Sequence, residues 1–169
     1  MTQTDGAPGI GVDGGSAARV RTFLEARGLA DSIVHFEQST RTAQMAADAM
    51  GCELGQIAKS LVFVAGQRPV VALVAGDRRG DPTVIAREAG ADDASFADAA
   101  AVRAATGYAI GAVSPFDLPP EVLVLVDESL ARFEIVYPAA GTPSSMVRMT
   151  FTELLETTRG RVAAVGKQQ

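Results

Sequence analysis

The chain has 169 residues, 47% of them hydrophobic, so it can bury one sizeable core and has the usual size of a single domain. Its net charge of −5 argues against a protein that wraps a long nucleic acid such as DNA, although contact with the end of a nucleic acid stays compatible. No apolar run approaches the roughly 20 residues of a membrane span and no secretion signal is evident, so we expect a soluble, cytoplasmic protein with no membrane partner.

The N-terminal third is predicted to contain a leader, two helices and a strand. Residues 1–15 are glycine-rich and almost without apolar side chains, so burial could not offset the entropy of ordering them, and we expect a disordered leader. From Ser16 the apolar spacing predicts a helix that Gly28 ends. A short strand at residues 33–36 and an alanine-rich helix ended by Gly51 follow.

Two apolar runs, at residues 60–66 and 69–76, predict the centre of the fold. Both are apolar on both faces and are separated by a glycine-containing turn, which indicates a hairpin of central strands covered on each side. Asp81 and Pro82 are expected to begin a helix that Gly90 ends.

The C-terminal half is predicted to alternate helices and strands. A helix is expected over residues 95–107, with Phe96 on its inner face, and strands over residues 122–126 and 133–137. A last helix covers residues 150–160. The predicted fold class is α+β (mixed α/β), a single compact domain over residues 16–169 with a central mixed sheet surrounded by short helices.

Few residue types are available for chemistry. The single cysteine, Cys52, excludes an internal disulfide and a Cys-cluster zinc site. The single histidine, His35, leaves little for a Ser-His-Asp relay. An enzyme that works without a cofactor would therefore depend on lysine, carboxylates, hydroxyls and backbone amides.

Lys59 is the first candidate, because it precedes the apolar run at residues 61–64 where a strand is expected to begin. The period of a strand places Lys59 on one face with Leu61 and Phe63. Its stem can simply cover the core while the ammonium reaches water. Alternatively, an ammonium at the rim of an apolar face lies at the edge of a cleft, where it binds an anionic or carbonyl oxygen more strongly than in bulk water.

A glycine-rich loop at residues 106–119 is the second candidate. Gly107 and Gly111 bracket a short apolar piece, and the pair Ser114-Pro115 forces an extended or turned backbone. The loop can be a turn that needs glycine only for its backbone angles. In the functional interpretation, N–H groups around Gly111 and Ala112 hold an oxygen as it gains charge.

A second loop, residues 139–145, contains Gly141 and Thr142 between a strand and an apolar pair. A simple turn is the default interpretation of such a loop. The alternative is that it forms another wall of the same cleft.

Several segments, taken in order, resemble one family. These are "TAQMAADAMGCELGQIAKSLVF", "ALVAGDRRGD", "ATGYAIGAVSPF", "VLVDESLARFEIVYPAAGTP" and "MTFTELLE". They are similar to the YbaK and prolyl-tRNA synthetase-associated domain family of aminoacyl-tRNA deacylases, over about residues 16–166. The lysine in "QIAKSLVF" and the Gly-Tyr-x-x-Gly-x-x-Ser-Pro string are the strongest signals of the resemblance.

The resemblance implies a compact mixed sheet, no metal, no cofactor, and hydrolysis of the ester of a mischarged tRNA by a free-standing, trans-editing domain. Lys59 matches the functional lysine of the family and is the expected catalytic residue. The expected substrate-binding residues are Gly107, Tyr108, Gly111, Ala112, Ser114, Pro115, Gly141 and Thr142. The expected partner is the acceptor end of a mischarged tRNA, with a synthetase or an elongation factor as further candidates.

Two positions depart from the pattern of the family. Many relatives have a second glycine where this chain has Ala112, and a glycine where it has Asp117. An added methyl group can narrow the pocket, and an added carboxylate changes the local charge. Two alternatives follow: a non-catalytic module of the same fold that binds an aminoacyl-adenosine end, an amino acid or a partner protein, and a hydrolase of another small ester or amide.

Overall fold

The computed structural model describes residues 8–169, with the backbone alone for residues 8–14. In this part of the chain the five α-helices are α1 (Pro8–Glu25), α2 (Ala43–Met50), α3 (Pro82–Ala89), α4 (Ala99–Thr106) and α5 (Phe151–Thr158). The eleven strands are β1 (Ile33–His35), β2 (Ile57–Ala65), β3 (Arg68–Ala75), β4 (Arg78–Gly80), β5 (Ala94–Phe96), β6 (Leu123–Asp127), β7 (Ile135–Pro138), β8 (Ser145–Val147), β9 (Met149–Thr150), β10 (Arg161–Ala163) and β11 (Gly166–Gln168). None of the described helices is both long and apolar enough to cross a bilayer.

Helix α1 differs from its prediction at one end. It begins at Pro8, upstream of the predicted start at Ser16, and the glycine-rich composition of that segment does not explain the early start. The predicted leader falls in part on residues 1–7, which lie outside the described residues, so it stays a prediction. The predicted inner face is confirmed, because Val20 and Leu24 are fully buried.

Local side-chain chemistry sets the limits of the other helices. In each of the helices α2 to α5, the side chain of the N-cap residue accepts a hydrogen bond from a backbone N–H of the first turn. These N-cap residues are Thr42, Asp81, Asp98 and Thr150. Gly51 and Gly90 end α2 and α3 in the left-handed conformation, with φ of 68° and 71°. Both helix ends were predicted from these glycines, and both are confirmed.

The central sheet is mixed and has the strand order β10-β6-β3-β2-β7-β9, with β5 pairing with part of β2. Strands β2 and β3 form the predicted hairpin, around a turn of Gly66 and Gln67, because Arg68 already pairs with Ala65. Strand β3 runs parallel to β6, and β2 runs parallel to β7. Two smaller ribbons, β1 with β8 and β4 with β11, flank the sheet. The predicted mixed α/β class is confirmed.

Both faces of the hairpin are covered, as its two-sided apolar pattern predicts. One face, which includes Val62 and Leu73, packs beneath α1, α4 and α5. The opposite face, which includes Phe63 and Val74, packs against Ile85 of α3. The alternation along β2 therefore places Lys59, Leu61 and Phe63 on the α3 side of the sheet.

Two element boundaries were predicted wrongly. Strand β2 begins at Ile57, so Lys59 lies inside the strand and not before it. The strand begins earlier than predicted because it follows directly on the tight turn Leu54–Gln56, which the side chains of Glu53 and Gln56 close by hydrogen bonds. The helix predicted over residues 95–107 is a strand, β5, followed by α4. The N-cap Asp98 fixes the start of α4 at Ala99, so Phe96 lies before the helix and belongs to strand β5.

The end of β6 anchors the C-terminal strand. Asp127 is almost completely buried, and its carboxylate accepts hydrogen bonds from the N–H of Ser129 at 3.2 Å and from the N–H of Gly166 at 2.6 Å. The first bond caps the short turn that follows β6. The second joins β6 to β11, which fixes the position of the β4–β11 ribbon.

Gly76, at the end of the hairpin, allows the closest backbone approach to the sheet. A Cβ atom at Gly76 would lie 2.3 Å from the carbonyl oxygen of Leu54, whereas one at Gly51 would meet no atom within 4 Å. We expect Gly76→Ala to lower the free energy of unfolding by about 3 kcal/mol, because two backbone segments must separate. Gly51→Ala should cost about 1 kcal/mol, for its left-handed backbone alone. Urea denaturation of both variants tests this, and equal losses would contradict it.

Candidate active site

Strand β2 has a gap in its pairing at Ser60. The N–H of Gly76 donates to the carbonyl of Ile57 at 2.8 Å, so the odd-numbered residues of β2 bond to β3 and the even-numbered residues face the other edge. On that edge β7 pairs with Ile57 and Ala58, and β5 pairs with residues 63–65. Between these pairings the N–H of Ala97 donates to the carbonyl of Val62 at 2.9 Å, whereas neither the N–H nor the C=O of Ser60 has a partner on this edge in the described chain.

A cavity of about 260 Å³ opens at this gap. We call it the Gly111 cavity; its lining includes Lys59, Ser60, Gly111, Val113 and Thr142. Its walls come from β2, from the start of α2, from the loop after α4 and from the segment around β8. The topology thus brings together segments that are far apart in the sequence.

Only three of the predicted site residues line the Gly111 cavity, namely Lys59, Gly111 and Thr142. The predicted residues that do not line it are Gly107, Tyr108, Ala112, Ser114, Pro115 and Gly141. Pro115 instead borders a separate groove of about 440 Å³, which contains neither Lys59 nor Gly111.

The Lys59 ammonium is held by a carbonyl group and not by a carboxylate. Its Nζ donates to the carbonyl oxygen of Arg78 at 2.5 Å, and it forms no ion pair with any carboxylate of residues 15–169, whose side chains are described. Burial lowers the pKa of Lys59, and the carboxylate of Asp77 partly opposes this shift. Among the described side chains, none therefore neutralises the positive charge of Lys59 by direct contact.

Gly111 occupies the third position of a tight turn. The N–H of Ala112 donates to the carbonyl of Ala109 at 3.0 Å, and Gly111 has φ of 88°, which together define a type II turn. The Ala112 N–H is therefore engaged, and the Gly111 N–H is the candidate donor toward the cavity. Because a Cβ atom at Gly111 would meet nothing within 4 Å, the backbone angle and not space requires glycine here.

Two buried hydroxyl groups position the loop that carries Gly111. Tyr108 is fully buried, and its hydroxyl donates to the carbonyl of Phe116 at 2.7 Å. Burial raises the pKa of Tyr108 to about 12, so the phenol stays a donor at neutral pH. The hydroxyl of Ser114 donates to the carbonyl of Ala139 at 2.8 Å, which ties the loop to the opposite wall of the cavity.

Arg19, which the sequence analysis did not select, joins the two ends of the same loop. Its guanidinium donates to the carbonyl of Thr106 at 2.7 Å and to the carbonyl of Asp117, and it lies 4.2 Å from the centre of the Tyr108 ring. It also pairs with the Asp117 carboxylate at 3.1 Å. Nothing in the local sequence distinguishes Arg19 from the neighbouring Arg21, since its partners are distant in the chain.

The two glycines outside the cavity have packing roles. Gly107 ends α4 with φ of 79°, and a Cβ atom there would lie 2.7 Å from the Arg19 guanidinium. Gly141 has φ of 96°, and a Cβ atom there would lie 3.0 Å from the carbonyl oxygen of Ser16. Both positions therefore need glycine for the backbone angle and for close contact with α1.

The two departures from the family pattern lie outside the cavity. Asp117 has φ of 58°, in the region that favours glycine and tolerates aspartate, which accounts for the glycine of many relatives at this position. Its side chain is 54% exposed and pairs with Arg19. Ala112 is half-buried beside the turn and does not line the cavity.

Ser60 was also missed, although a polar residue inside an apolar run was a visible signal. Its hydroxyl is buried and has no hydrogen-bond partner within the described residues. A buried hydroxyl without a partner costs about 1–3 kcal/mol. The hydroxyl, the N–H and the C=O of Ser60 are therefore all available to form hydrogen bonds with a ligand at the gap.

The described part of the chain contains neither a cluster of metal ligands nor an activated cysteine. No group of three or more histidine, cysteine, aspartate or glutamate side chains lies together there as metal ligands would. Burial, and then the carboxylate of Glu53, raise the pKa of the Cys52 thiol. Cys52 is therefore protonated and a poor nucleophile at neutral pH.

Comparison with known proteins identifies the sequence class. The family model "Aminoacyl-tRNA editing domain" matches residues 37–157. "Uncharacterized protein YwhH" of Bacillus subtilis is 34% identical over 142 residues, which cover 83% of this chain and 90% of that protein. "Multifunctional Ser/Thr-tRNA deacylase ProXp-y" of Escherichia coli K12 is 32% identical over 127 residues, covering 72% and 76%. A solved structure described as "Crystal structure of a putative trans-editing enzyme for prolyl tRNA synthetase" has a TM-score of 0.83 and 38% identity, covering 96% and 99%.

The contribution of the Arg19 hydrogen bonds to the carbonyl groups of Thr106 and Asp117 can be measured separately from that of its ion pair with the Asp117 carboxylate. We expect Arg19→Met to lower the free energy of unfolding by about 2 kcal/mol, because two carbonyl groups lose a charged donor. Asp117→Gly should change it by less than about 1 kcal/mol, since an exposed ion pair contributes little and glycine accepts the backbone angle. Urea denaturation measures both changes. Equal losses would mean that the carboxylate, and not the carbonyl bonds, holds the loop.

Proposed function

The chain belongs to the aminoacyl-tRNA editing domain family, and on this basis we propose that it is a free-standing deacylase that hydrolyses the ester of mischarged tRNA in trans. The observation that carries the proposal is one cavity, open at a gap in a strand edge, with an unneutralised lysine on one wall and a glycine turn on another. The name of the ProXp-y relative, a Ser/Thr-tRNA deacylase, supports the same reaction class.

The hydrogen-bonding groups of the gap complement an aminoacyl ester. The ester of an amino acid presents N–H donors on its α-amino group and a carbonyl acceptor on the neighbouring carbon. The unpaired C=O and N–H of Ser60 offer the matching acceptor and donor, as in the addition of a strand residue to a sheet edge. This arrangement would hold the aminoacyl group against β2, with its side chain in the Gly111 cavity.

The reaction needs a water molecule, a place for the developing oxyanion and a stabilised leaving group. Water attacks the ester carbonyl carbon, and the resulting oxyanion receives a hydrogen bond from the Gly111 N–H. The carbon–oxygen bond to the ribose then breaks, and a proton from the water ends on the ribose oxygen. The Lys59 ammonium holds the ribose or ester oxygens throughout, and the products are the free amino acid and the intact tRNA.

The proton of the attacking water has no evident side-chain acceptor. The titratable side chains that line the cavity in the described chain are Lys59 and Arg41, and both are cations. We therefore assign the role of base to the substrate itself, through its α-amine or the neighbouring ribose hydroxyl. An activated ester needs correct positioning more than a strong base.

The size of the cavity favours small amino acids as the group removed. At about 260 Å³ it lies below the usual range of small-molecule sites, which begins near 300 Å³. Its lining includes the apolar side chains Ile57, Val113 and Met146, which would exclude a bulky side chain by contact. Selection by size is how an editing site spares the correctly charged tRNA.

The binding-module alternative loses its original support. Ala112 and Asp117 were the features that favoured it, and both lie outside the Gly111 cavity. The proposed partner is the acceptor end of a mischarged tRNA in the cytoplasm, with a synthetase or an elongation factor as possible co-partners. Incubation with a panel of mischarged tRNAs discriminates, because a binding module releases no amino acid.

Removal of the Lys59 ammonium should nearly abolish the reaction. We expect Lys59→Ala to lower the rate of deacylation by about 10²–10³, the usual loss when a group that stabilises the transition state is removed. The measurement is release of amino acid from a mischarged tRNA that the wild type cleaves. Arg21→Ala, an exposed cation on α1, is the matched control and should keep the wild-type rate. Full activity of Lys59→Ala would refute the assignment.

The pH dependence of the deacylation rate should reflect the protonation of the Lys59 ammonium. Lys59 binds oxygen only when protonated, and burial lowers its pKa below the ordinary value of a lysine. Enzyme-dependent deacylation, after subtraction of spontaneous hydrolysis, should therefore decline as the pH rises through that lowered pKa. Lys59→Arg should lack this alkaline decline, because a guanidinium stays protonated over the whole range. An alkaline decline that persists in Lys59→Arg would assign the titration to another group.

A further inference from the structure

A second cavity, of about 380 Å³, adjoins the Gly111 cavity and shares Lys59 and Leu61 with it. It lies over the α3 side of β2, and its remaining walls come from β4, β5, β11 and the start of α3. We call it the Phe96 cavity, and its lining includes Lys59, Arg79, Phe96 and Lys167. The mechanism proposed above uses none of the last three residues.

The charges in the Phe96 cavity are all of one sign. Its described lining contains Lys59, Arg79 and Lys167, which include both lysines of an otherwise acidic chain, and no carboxylate. Arg79 and Lys167 are directly opposite each other in the β4–β11 ribbon, an arrangement that destabilises a strand pair. Neither forms an ion pair with a described carboxylate. A bound anion would relieve this repulsion.

An exposed aromatic ring completes the lining. Phe96 is 63% exposed, although one face of its ring stacks on the buried Phe63 with centroids 4.4 Å apart. The pairing of Phe63 with Phe96 across β2 and β5 fixes this stack. A flat aromatic ligand could extend the stack from the free side, as nucleobases do on aromatic side chains.

The spacing of these groups suits one nucleotide. Lys59 lies four positions before Phe63 on β2, about 13 Å away along the strand, and Phe96 stacks on Phe63. Because Lys59 and Phe96 line the same cavity, one nucleotide could contact both side chains, with its ribose toward Lys59 and its base toward Phe96. The Lys59 ammonium already points to β4, where it bonds to Arg78, the residue before Arg79.

We propose that the Phe96 cavity binds the terminal nucleotide of the tRNA, with its base stacked on Phe96 and its 5′-phosphate between Arg79 and Lys167. This inference rests on the proposed function and deepens it. Lys59 then lies at the junction of two cavities, and it meets the ribose from which the ester projects into the Gly111 cavity. The few phosphates involved are consistent with the acidity of the whole chain.

Binding of adenosine 5′-monophosphate, followed by NMR titration of the full chain, tests the site without any reaction. Phe96→Ala should weaken binding about tenfold, the effect of losing one base stack. Lys167→Gln should weaken it less, and should make the affinity less sensitive to salt, because one of the cations that attract the phosphate is lost. Arg87→Gln, an exposed cation on α3 outside the cavity, is the matched control.

Two smaller probes separate the base from the phosphate. Adenosine should bind more weakly than its monophosphate and lose affinity in Phe96→Ala but not in Lys167→Gln. Inorganic phosphate should bind far more weakly than the monophosphate. Phosphate and monophosphate of equal affinity, or monophosphate binding that neither variant changes, would overturn the proposal.

Kinetics with a mischarged tRNA distinguish this inference from the proposed function. Phe96→Ala should raise KM about tenfold, with a smaller effect on kcat, because the stack holds the substrate and does not touch the ester. Lys59-dependent deacylation without any response of KM to Phe96→Ala would overturn the nucleotide site alone. Monophosphate binding that depends on Phe96, in a protein that releases no amino acid from any mischarged tRNA, would support the site and refute the proposed function.

Discussion

The incomplete pairing of β2 is the constraint on which the rest of the structure depends. One edge of this strand is paired with β3 along its length, which fixes its position and register. The other edge is divided between β5 and β7, and the break between them falls at Ser60. Because both cavities border this break, the arrangement of three strands determines where a ligand can enter the sheet.

Electrostatics reinforce this geometry. Elsewhere in the described chain, two arginines have carboxylate partners: Arg19 pairs with Asp117, and Arg132 pairs with Asp77 at 2.8 Å. Lys59 has only a carbonyl oxygen as partner, in a partly desolvated position where its attraction for an oxygen ligand is stronger than in water. The protein thus leaves selected positive charges uncompensated beside β2 while its net charge stays negative.

Local signals in the sequence predicted the elements that depend on local chemistry. Helix caps such as Asp81, glycine stops such as Gly90 and the two-sided apolar hairpin were all found where they were expected. Lys59 and Gly111 line one cavity, and the roles that the sequence interpretation gives them stay a prediction. Phe96 and Arg19 were misread or missed because their roles come from partners distant in the chain, whereas the role of Ser60 depends on where β5 and β7 stop pairing with β2. A strand as short as β5 is defined by its pairing with β2, and no local pattern distinguishes it from the start of a helix.

The short length of the break in β2, which spans residues 59–62 between its pairings with β7 and β5, has a consequence for the behaviour of the protein at high concentration. A long open strand edge invites another chain to add a strand, which leads to aggregation. Here β5 and β7 cap the break on either side, so an incoming backbone could form hydrogen bonds with Ser60 but could not continue in either direction. The fold can therefore expose main-chain groups to a small ligand without allowing other copies of the chain to add strands to this edge and aggregate.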